Sequence, residues 1–214
     1  MSRAVLVEPE RLAGWFDRFA DRHGGVARTE LGPHRVLVLA EDGATAEVAV
    51  PFGSLEVAAG VRPRLAVDEL IAHLLRPRRM ALLLVRLGGH SVGIAVDGMV
   101  VASATDRRLV HGRHRAGGSS AGRFARRREG QARVALQAAA DTAARVLLPE
   151  LSTVDAVVLG GDRRALDQLR ADPRLAPLFA RAEPAVLDVP QPRRTVLDDA
   201  ARRARCARIV VTQP

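Results

Sequence analysis

Positive charge in this 214-residue chain is concentrated in one short segment, from Arg107 to Arg133. The segment holds nine arginines and a single acidic residue, Glu129, which is a net +8 out of the chain's formal +9. The nine are Arg107, Arg108, Arg113, Arg115, Arg123, Arg126, Arg127, Arg128 and Arg133. A basic patch confined to one place is the electrostatic footprint of a polyanionic partner. We therefore expect residues 105–133 to form an arginine-rich loop and helix that bind structured RNA.

The composition indicates a soluble protein with an aliphatic core. Apolar residues make up 48% of the chain but aromatic residues only 3%, so the core has to be built from Ala, Val and Leu. The single cysteine, Cys206, excludes an intramolecular disulfide and a zinc site made of cysteines. No stretch approaches the roughly 18 apolar residues of a membrane span, and the first residues lack a signal-peptide pattern. We expect a cytoplasmic protein without membrane association.

Residues 1–76 are predicted to form a small α+β domain. Apolar residues at helical spacing predict a helix over 9–23, which a glycine pair ends. Strand-like runs follow, two of them joined by a turn at Glu41-Asp42-Gly43. The predicted strands are 26–31, 35–39 and 44–50, and a second helix is predicted over 65–75. The sequence Arg76-Pro77-Arg78-Arg79 is the expected boundary.

Residues 80–214 are predicted to form a second domain of the α/β class. Two hairpins with glycine turns begin it, and a long helix follows the basic loop. Strands then alternate with helices, which implies a mostly parallel sheet covered by helices. The predicted strands are 81–87, 91–96, 99–104, 154–159, 186–189 and 207–212, and the two short predicted helices are 163–170 and 196–203.

The stretch 105–122, between the third of these strands and the long helix, is polar and rich in glycine. A loop of this length is unusual in a compact domain, and such loops are usually functional or disordered. The helix after it should start at Arg123 and run for about 26 residues, or roughly 39 Å. Its predicted buried stripe is Ala132, Ala135, Leu136, Ala139, Ala143, Val146 and Leu147, while Arg126, Arg133, Gln137 and Arg145 should face away.

Outside the basic segment the sequence shows no convincing site. The six histidines and the acids lack metal-ligand spacing, so we expect no metal and no cofactor. A nuclease would need several acids converging on Mg²⁺, and only the isolated Asp97, Asp155 and Asp188 are found. Gly160-Gly161-Asp162 stands where a helix N-terminus could bind phosphate, but a tight turn with Asp162 as N-cap is the better explanation.

The loop tip within the basic segment has the features of a confined, phosphate-lined site. The pair Gly117-Gly118 permits positive φ and close approach of the backbone to a ligand, while Ser119 and Ser120 keep the tip narrow. Arginines flank the tip on both sides, and those in the first helical turn oppose the helix dipole, which favours anions there. The tip residues are therefore the candidate catalytic site, and the nine arginines are the candidate RNA-binding site.

This segment resembles the middle domain of the eukaryotic and archaeal peptide-chain release factors, in which a GGQ loop runs into an Arg-Phe-Ala-Arg helix. It is more similar still to the Vms-like release factors, whose actinobacterial branch is known as peptidyl-tRNA hydrolase. The matching residues are His111-Gly112-Arg113, Gly117-Gly118, Arg123-Phe124-Ala125-Arg126-Arg127-Arg128 and Gln131. The resemblance is specific over residues 80–214 and implies a mixed sheet with helices, of RNase H-like topology.

The resemblance also implies a ribosomal function. In the related factors the loop enters the peptidyl transferase centre, where its glutamine helps to hold a water against the ester that joins peptide to tRNA. Positioning and hydrogen bonding, rather than a strong base, carry that kind of catalysis. The expected partner is the ribosome, with its rRNA and peptidyl-tRNA, and not DNA; the expected function is codon-independent hydrolysis of peptidyl-tRNA on stalled ribosomes. The oligomeric state stays open.

At the loop tip the chain departs from the family pattern. The residue after the glycine pair, glutamine in the classical factors, is Ser119, and positions 120–122 hold no glutamine either. The first glutamine downstream, Gln131, should lie two helical turns into the helix, about 12 Å from Arg123. Two functions therefore remain open. One is a hydrolase in which Ser119 or Ser120 orders the water, with Gln131 as a less favoured candidate; the other is a ribosome-binding factor without hydrolytic activity.

Overall fold

A computed structural model describes the backbone of residues 2–107 and 121–214 and the side chains of residues 2–107 and 129–214. The chain folds as two compact units. The first consists of Met1–Pro77 together with Arg205–Pro214, and the second of Arg78–Ala204. The predicted fold class, an α/β domain preceded by a small α+β unit, is confirmed.

The first unit is an antiparallel sheet packed against two helices. Its elements are β1 (Ser2–Val7), α1 (Leu12–Arg22), β2 (Val26–Leu31), β3 (Arg35–Ala40), β4 (Thr45–Ala49), β5 (Gly60–Pro63), α2 (Asp68–Leu75) and β11 (Ala207–Thr212). The strand order is β1-β11-β4-β3-β2-β5, and every pairing in it is antiparallel. Leu12, Phe16 and Phe19 recur at helical spacing along α1 and are buried in the core of this unit.

The last strand of the chain completes the sheet of the first unit. β11 lies between β1 and β4 and pairs with both. Its Ala207 and Ile209 are fully buried in the core of that unit. The assignment of 207–212 to the sheet of the second domain is therefore corrected. Strand–helix alternation identifies a strand, but it does not reveal the sheet in which a strand pairs.

Two strands of the first unit, β1 and β5, do not appear in the sequence-based prediction. Both lie at the edges of the sheet. Only Val7 of β1 is buried, and all four residues of β5 are exposed or half-buried. Edge strands of this kind lack the apolar alternation by which strands are recognised in a sequence.

The second unit is a five-stranded mixed sheet with helices on both faces. Its elements are β6 (Arg79–Arg86), β7 (Gly89–Val96), β8 (Met99–Arg107), α3 (Ala121–Leu147), β9 (Ala156–Gly161), α4 (Arg163–Arg170), α5 (Ala176–Ala180), β10 (Ala182–Leu187) and α6 (Arg194–Arg205). The strand order is β10-β9-β6-β7-β8. Only β7 runs against the other four strands. This is the RNase H-like topology that the family resemblance implies.

Burial along β6 shows why this sheet is covered on both faces. Every side chain of residues 80–85 is buried, as in a strand that helices cover from both sides. Alternate side chains point to opposite faces, and Ala81 and Leu83 pack in the core formed with α3, α4 and α5. On the other face α6 lies so close to β7 that a Cβ on Gly93 would be 2.8 Å from Leu197 Cδ2.

The elements that border the basic loop are longer than the sequence indicates. β8 extends to Arg107, and its Thr105 pairs with Ser91 of β7. α3 begins at Ala121 rather than Arg123. The predicted loop 105–122 is therefore corrected at both ends, because strand pairing and helix formation include its first three and last two residues. Residues 108–120 lie outside the described part of the chain.

Candidate nucleic-acid interface

The basic segment begins at the last residue of β8, an edge strand, and its second half belongs to α3, the longest helix in the described part of the chain. Arg107, the last residue of β8, is exposed, and so is Arg133 on α3. Arg123, Arg126, Arg127 and Arg128 belong to the first turns of α3, where the backbone is described and the side chains are not. The other predicted site residues lie outside the described residues: Arg108, Arg113, Arg115, Gly117, Gly118, Ser119 and Ser120.

α3 is an alanine-rich amphipathic helix of 27 residues, about 40 Å long. Alanine has the highest helix propensity, and its small side chain permits close packing on the sheet. The buried stripe runs from Ala135 to Leu147. Arg133, Gln137 and Arg145 are exposed on the other side, as predicted. Three members of the predicted stripe, Ala132, Leu136 and Val146, are half-buried.

A buried polar contact fixes α3 to the sheet close to the end of β8. His90 of β7 is 2% exposed, and its Nε2 lies 3.0 Å from Thr142 Oγ1 on α3. Because the Thr142 hydroxyl already donates its proton to the Ala138 carbonyl at 2.8 Å, His90 Nε2–H is the donor in this contact. His90 stands opposite Asp106, one residue before β8 ends. The contact therefore fixes the position of α3 relative to β8, the strand at whose end the basic segment begins.

A second polar contact joins β7 to β8 at the same end. Ser91 is fully buried, and its Oγ lies 2.6 Å from Thr105 Oγ1. Sequence reasoning missed both contacts. The one available signal was the polar pair His90-Ser91 inside an otherwise apolar strand, because buried polar side chains nearly always have a hydrogen-bond partner.

An ion-pair cluster holds α3 against the turn that follows α4. Arg174, in the 3₁₀ turn Pro173–Leu175, donates to Asp172 at 2.7 Å and to Asp141 of α3 at 2.9 Å. Gln137 also donates to Asp141, at 3.0 Å. The hydrogen bond from Arg174 is the main reason why the pKa of each carboxyl lies below its usual value. In turn, the two carboxylates raise the pKa of Arg174.

A surface groove of about 390 Å³ lies between α3 and α4. Its apolar residues are Ala132, Leu136, Ala140 and Leu169, and its polar residues are Glu129, Arg133, Gln137, Gln168 and Asp172. The polar rim carries charges of both signs, whereas a phosphate site needs an excess of positive charge.

Gln131, the less favoured catalytic candidate, lies ten residues into α3, about 15 Å along the axis from Ala121. Its side chain is half-buried and has an interaction partner in the protein. Four residues further along the helix stands the buried Ala135. Gln131 thus lies well away from the ends of α3 and next to its buried stripe.

Gly160-Gly161-Asp162 is the predicted tight turn. Asp162 caps α4 by accepting the backbone N–H of Arg164 at 3.0 Å. Gly161 has φ +104°, and a Cβ on it would lie 2.1 Å from the Val85 carbonyl oxygen, so only glycine fits. Since the Asp162 carboxylate already accepts a backbone N–H at the N-terminus of α4, the backbone of this turn does not form a phosphate site.

Two of the three acids considered for a nuclease site have structural partners. Asp97 accepts the backbone N–H of Arg78 at 3.0 Å, and Asp155 accepts that of Arg79 at 2.7 Å. Among the described residues, no three His, Cys, Asp or Glu side chains are placed to hold a metal ion. In the same part of the chain, no helix combines the length and apolar character that crossing a membrane requires.

Comparison with known families decides which proteins this domain is related to. Residues 78–210 match the family described as Actinobacteria/chloroflexi VLRF1 release factor. The chain belongs to this family. The match covers the whole second unit and most of β11, and it confirms the resemblance to Vms-like release factors. Membership of a release-factor family associates the chain with translation.

Three solved structures are similar to the chain. The archaeal translation termination factor aRF1 is 12% identical, with a TM-score of 0.47 over 78% of this chain and 48% of that one. A protein described only as archaeal is 10% identical, with a TM-score of 0.43 over 91% and 69%. Pelota from Archaeoglobus fulgidus is 13% identical, with a TM-score of 0.31 over 94% and 61%. The chain thus spans about half the length of aRF1. No curated protein sequence matches it.

Proposed function

We propose that this VLRF1-family protein hydrolyses the ester bond of peptidyl-tRNA on stalled ribosomes without reading a codon. The proposal depends on two features that occur in the same part of the chain. Residues 78–210 match a release-factor family, and the segment with a net charge of +8 lies within that range. Ribosomal RNA is the polyanion that a translation factor meets, so arginines 107–133 would contact its phosphates. The protein would act in the cytoplasm, where the ribosomes are.

The polar contacts beside the end of β8 support the proposal, because they fix the two elements between which residues 108–120 are connected. The His90–Thr142 and Ser91–Thr105 contacts fix the sheet and α3 next to the point where β8 ends. Thirteen residues, 108–120, separate β8 from α3. A chain spans at most about 3.3–3.6 Å per residue, so a loop of this length can reach about 20 Å out and back. That length suits a narrow site that the compact domain cannot enter.

In the proposed reaction a water molecule attacks the carbonyl carbon of the ester between peptide and tRNA. The bond from that carbon to the ribose oxygen breaks, the peptide leaves as a carboxylic acid, and the ribose oxygen takes up a proton. The hydroxyl of Ser119 or Ser120, together with the N–H groups of Gly117 and Gly118, would orient the water. Catalysis of this kind relies on positioned hydrogen-bond donors and acceptors rather than on a strong base.

One feature of the sequence favours a second function. No glutamine stands at positions 119–122, where release factors of the related families carry one. A serine hydroxyl is shorter than a glutamine amide, so it holds a water less far from the backbone. If that reach is required, the chain binds stalled ribosomes without hydrolysing peptidyl-tRNA.

The test is peptide release from purified ribosomes that carry labelled peptidyl-tRNA. We expect slow release by the natural chain, retained in Gln131→Ala and lost in Ser119→Ala or Ser120→Ala. Release that disappears only in Gln131→Ala would identify Gln131 as the catalytic residue instead. Binding without release by any of these chains would favour the second function. Neither release nor binding would refute both.

A further inference from the structure

Four arginines lie at the end of the second unit's sheet where β8 terminates and the basic segment begins. β6, β8 and β9 run in the same direction and end at this edge. Arg86 is the last residue of β6 and Arg107 the last of β8. Arg163 and Arg164, the first residues of α4, follow the end of β9 after the Asp162 cap. We call these four the edge arginines.

The strand register shows that the edge arginines form a row. Arg86 pairs with Gly89 of β7, and Gly89 pairs with Arg107, so the first two lie at the same height. Neighbouring strands are about 4.8 Å apart, which puts the backbones of Arg86 and Arg107 about 10 Å from each other. β9 is the neighbour of β6 on the other side, where Gly161 pairs with Val85. The row therefore crosses four strands, on the order of 15 Å.

Most N–H groups of the edge arginines make no hydrogen bond within the described residues. All four are exposed. Within the described residues, Arg107, Arg163 and Arg164 have no side-chain hydrogen bond or ion pair, and Arg86 uses only Nη1, which donates to the Val189 carbonyl at 2.6 Å. Five other arginines of the second unit are ion-paired on the described surface: Arg79, Arg174, Arg194, Arg202 and Arg203.

Arg163 and Arg164 are also poorly explained as structural residues. They occupy the first turn of α4, where positive charge opposes the helix dipole. Three acids, Asp106, Asp162 and Asp188, lie at or just beyond the ends of β8, β9 and β10. Neither Asp162 nor Asp188 forms an ion pair with an edge arginine in the described part of the chain, and Asp162 caps α4. Asp106 has an interaction of its own. Among the described residues, no ion pair thus neutralises the edge arginines.

We propose that the edge arginines extend the phosphate contacts to RNA from Arg107, where the basic segment begins, to Arg86, Arg163 and Arg164. The proposal rests on the ribosome binding proposed above and deepens it by extending the contact surface beyond residues 105–133. Phosphate contacts fix the register and orientation of a protein on a nucleic acid. A row at the sheet edge would therefore orient the domain while the segment that starts at Arg107 reaches inward.

The experiment compares Arg163→Gln/Arg164→Gln with the natural chain for binding to purified ribosomes over a series of salt concentrations. Each phosphate contact contributes about 0.7–0.9 to the slope of log affinity against log salt, so the double variant should lower that slope by about 1.4–1.8. Its affinity near 0.1 M salt should fall at least tenfold. Arg86→Gln provides an independent variant outside α4 and should lower the slope by about 0.7–0.9.

The matched control is Arg18→Gln/Arg22→Gln. These arginines lie on α1 of the first unit and are exposed, and they likewise have no ion pair among the described residues. The control removes the same charge and should leave the slope unchanged. This inference is overturned if the control loses as much salt slope as the double variant. It is also overturned if the slope is unchanged in all edge variants while the natural chain binds. Both outcomes leave the proposed function standing. A natural chain that does not bind ribosomes would refute the proposed function as well.

Discussion

Gly161→Ala tests the close packing at the junction of β9, β6 and α4. The new Cβ would lie 2.1 Å from the Val85 carbonyl oxygen and 2.9 Å from its carbon. Both atoms belong to the backbone of a buried strand, which cannot move aside as a flexible side chain can. In addition, φ at this position is +104°, a conformation that costs an L-residue about 1–3 kcal/mol. Overpacking a well-packed site adds about 1–3 kcal/mol.

The expected destabilisation of Gly161→Ala is therefore about 2–6 kcal/mol, a large part of the roughly 5–15 kcal/mol by which domains are stable. Gly130→Ala is the matched control, because Gly130 lies inside α3 with nothing within 4 Å of a new Cβ. It should stabilise the chain by about 0.5–1 kcal/mol. Urea unfolding followed by far-UV circular dichroism measures both, since the only tryptophan, Trp15, reports on the first unit. A Gly161→Ala chain within 1 kcal/mol of the natural one would refute the packing argument.

Three further predictions concern the basic segment and the contacts that hold α3. Changing Arg126–Arg128 to Glu should abolish ribosome association without unfolding, as seen by sedimentation with ribosomes and by circular dichroism; full binding would contradict the role of these arginines. Asp141 has a lowered pKa in the folded chain, so its interaction stabilises the fold above the ordinary value of 3.8 and is lost as pH falls through the lower folded value. With Asp141→Asn, the free energy of unfolding should accordingly fall less between about pH 5 and 2 in urea titrations. An unaltered pH profile would contradict a stabilising role of the ion pair between Asp141 and Arg174. Thr142→Val leaves the His90 donor buried without its acceptor and should cost about 1–3 kcal/mol in urea unfolding, whereas a neutral effect would mean that the donor finds another acceptor.

The sequence predicts local features of this fold well where periodicity is strong. The register of α3 follows from apolar residues at helical spacing, and Ala139 and Leu147 are buried as that spacing indicates. Asp162 caps α4 as the turn sequence predicts. These features depend on residues close together in the chain, so propensity and pattern suffice.

Features that depend on pairing between distant segments escape such reasoning. β11 resembles any other apolar strand, and its place between β1 and β4 follows only from the completed sheet of the first unit. The edge arginines are invisible to a count along the sequence, because Arg86 and Arg163 lie far from the basic segment. Strand direction and register bring them to its base. The His90–Thr142 contact joins residues 52 positions apart for the same reason.

Peptide release is the most direct measure of the central claim, that the loop tip acts on peptidyl-tRNA in the ribosome. Ribosomes with labelled peptidyl-tRNA are mixed with the natural chain and with Ser119→Gln, Ser120→Gln or Ala121→Gln. A well-placed polar group is commonly worth about 10²–10³ in rate, so at least one variant should release peptide ten times faster than the natural chain or more. If every variant binds ribosomes and none releases more peptide than a blank reaction, the tip does not act on the ester and the hydrolytic function is wrong.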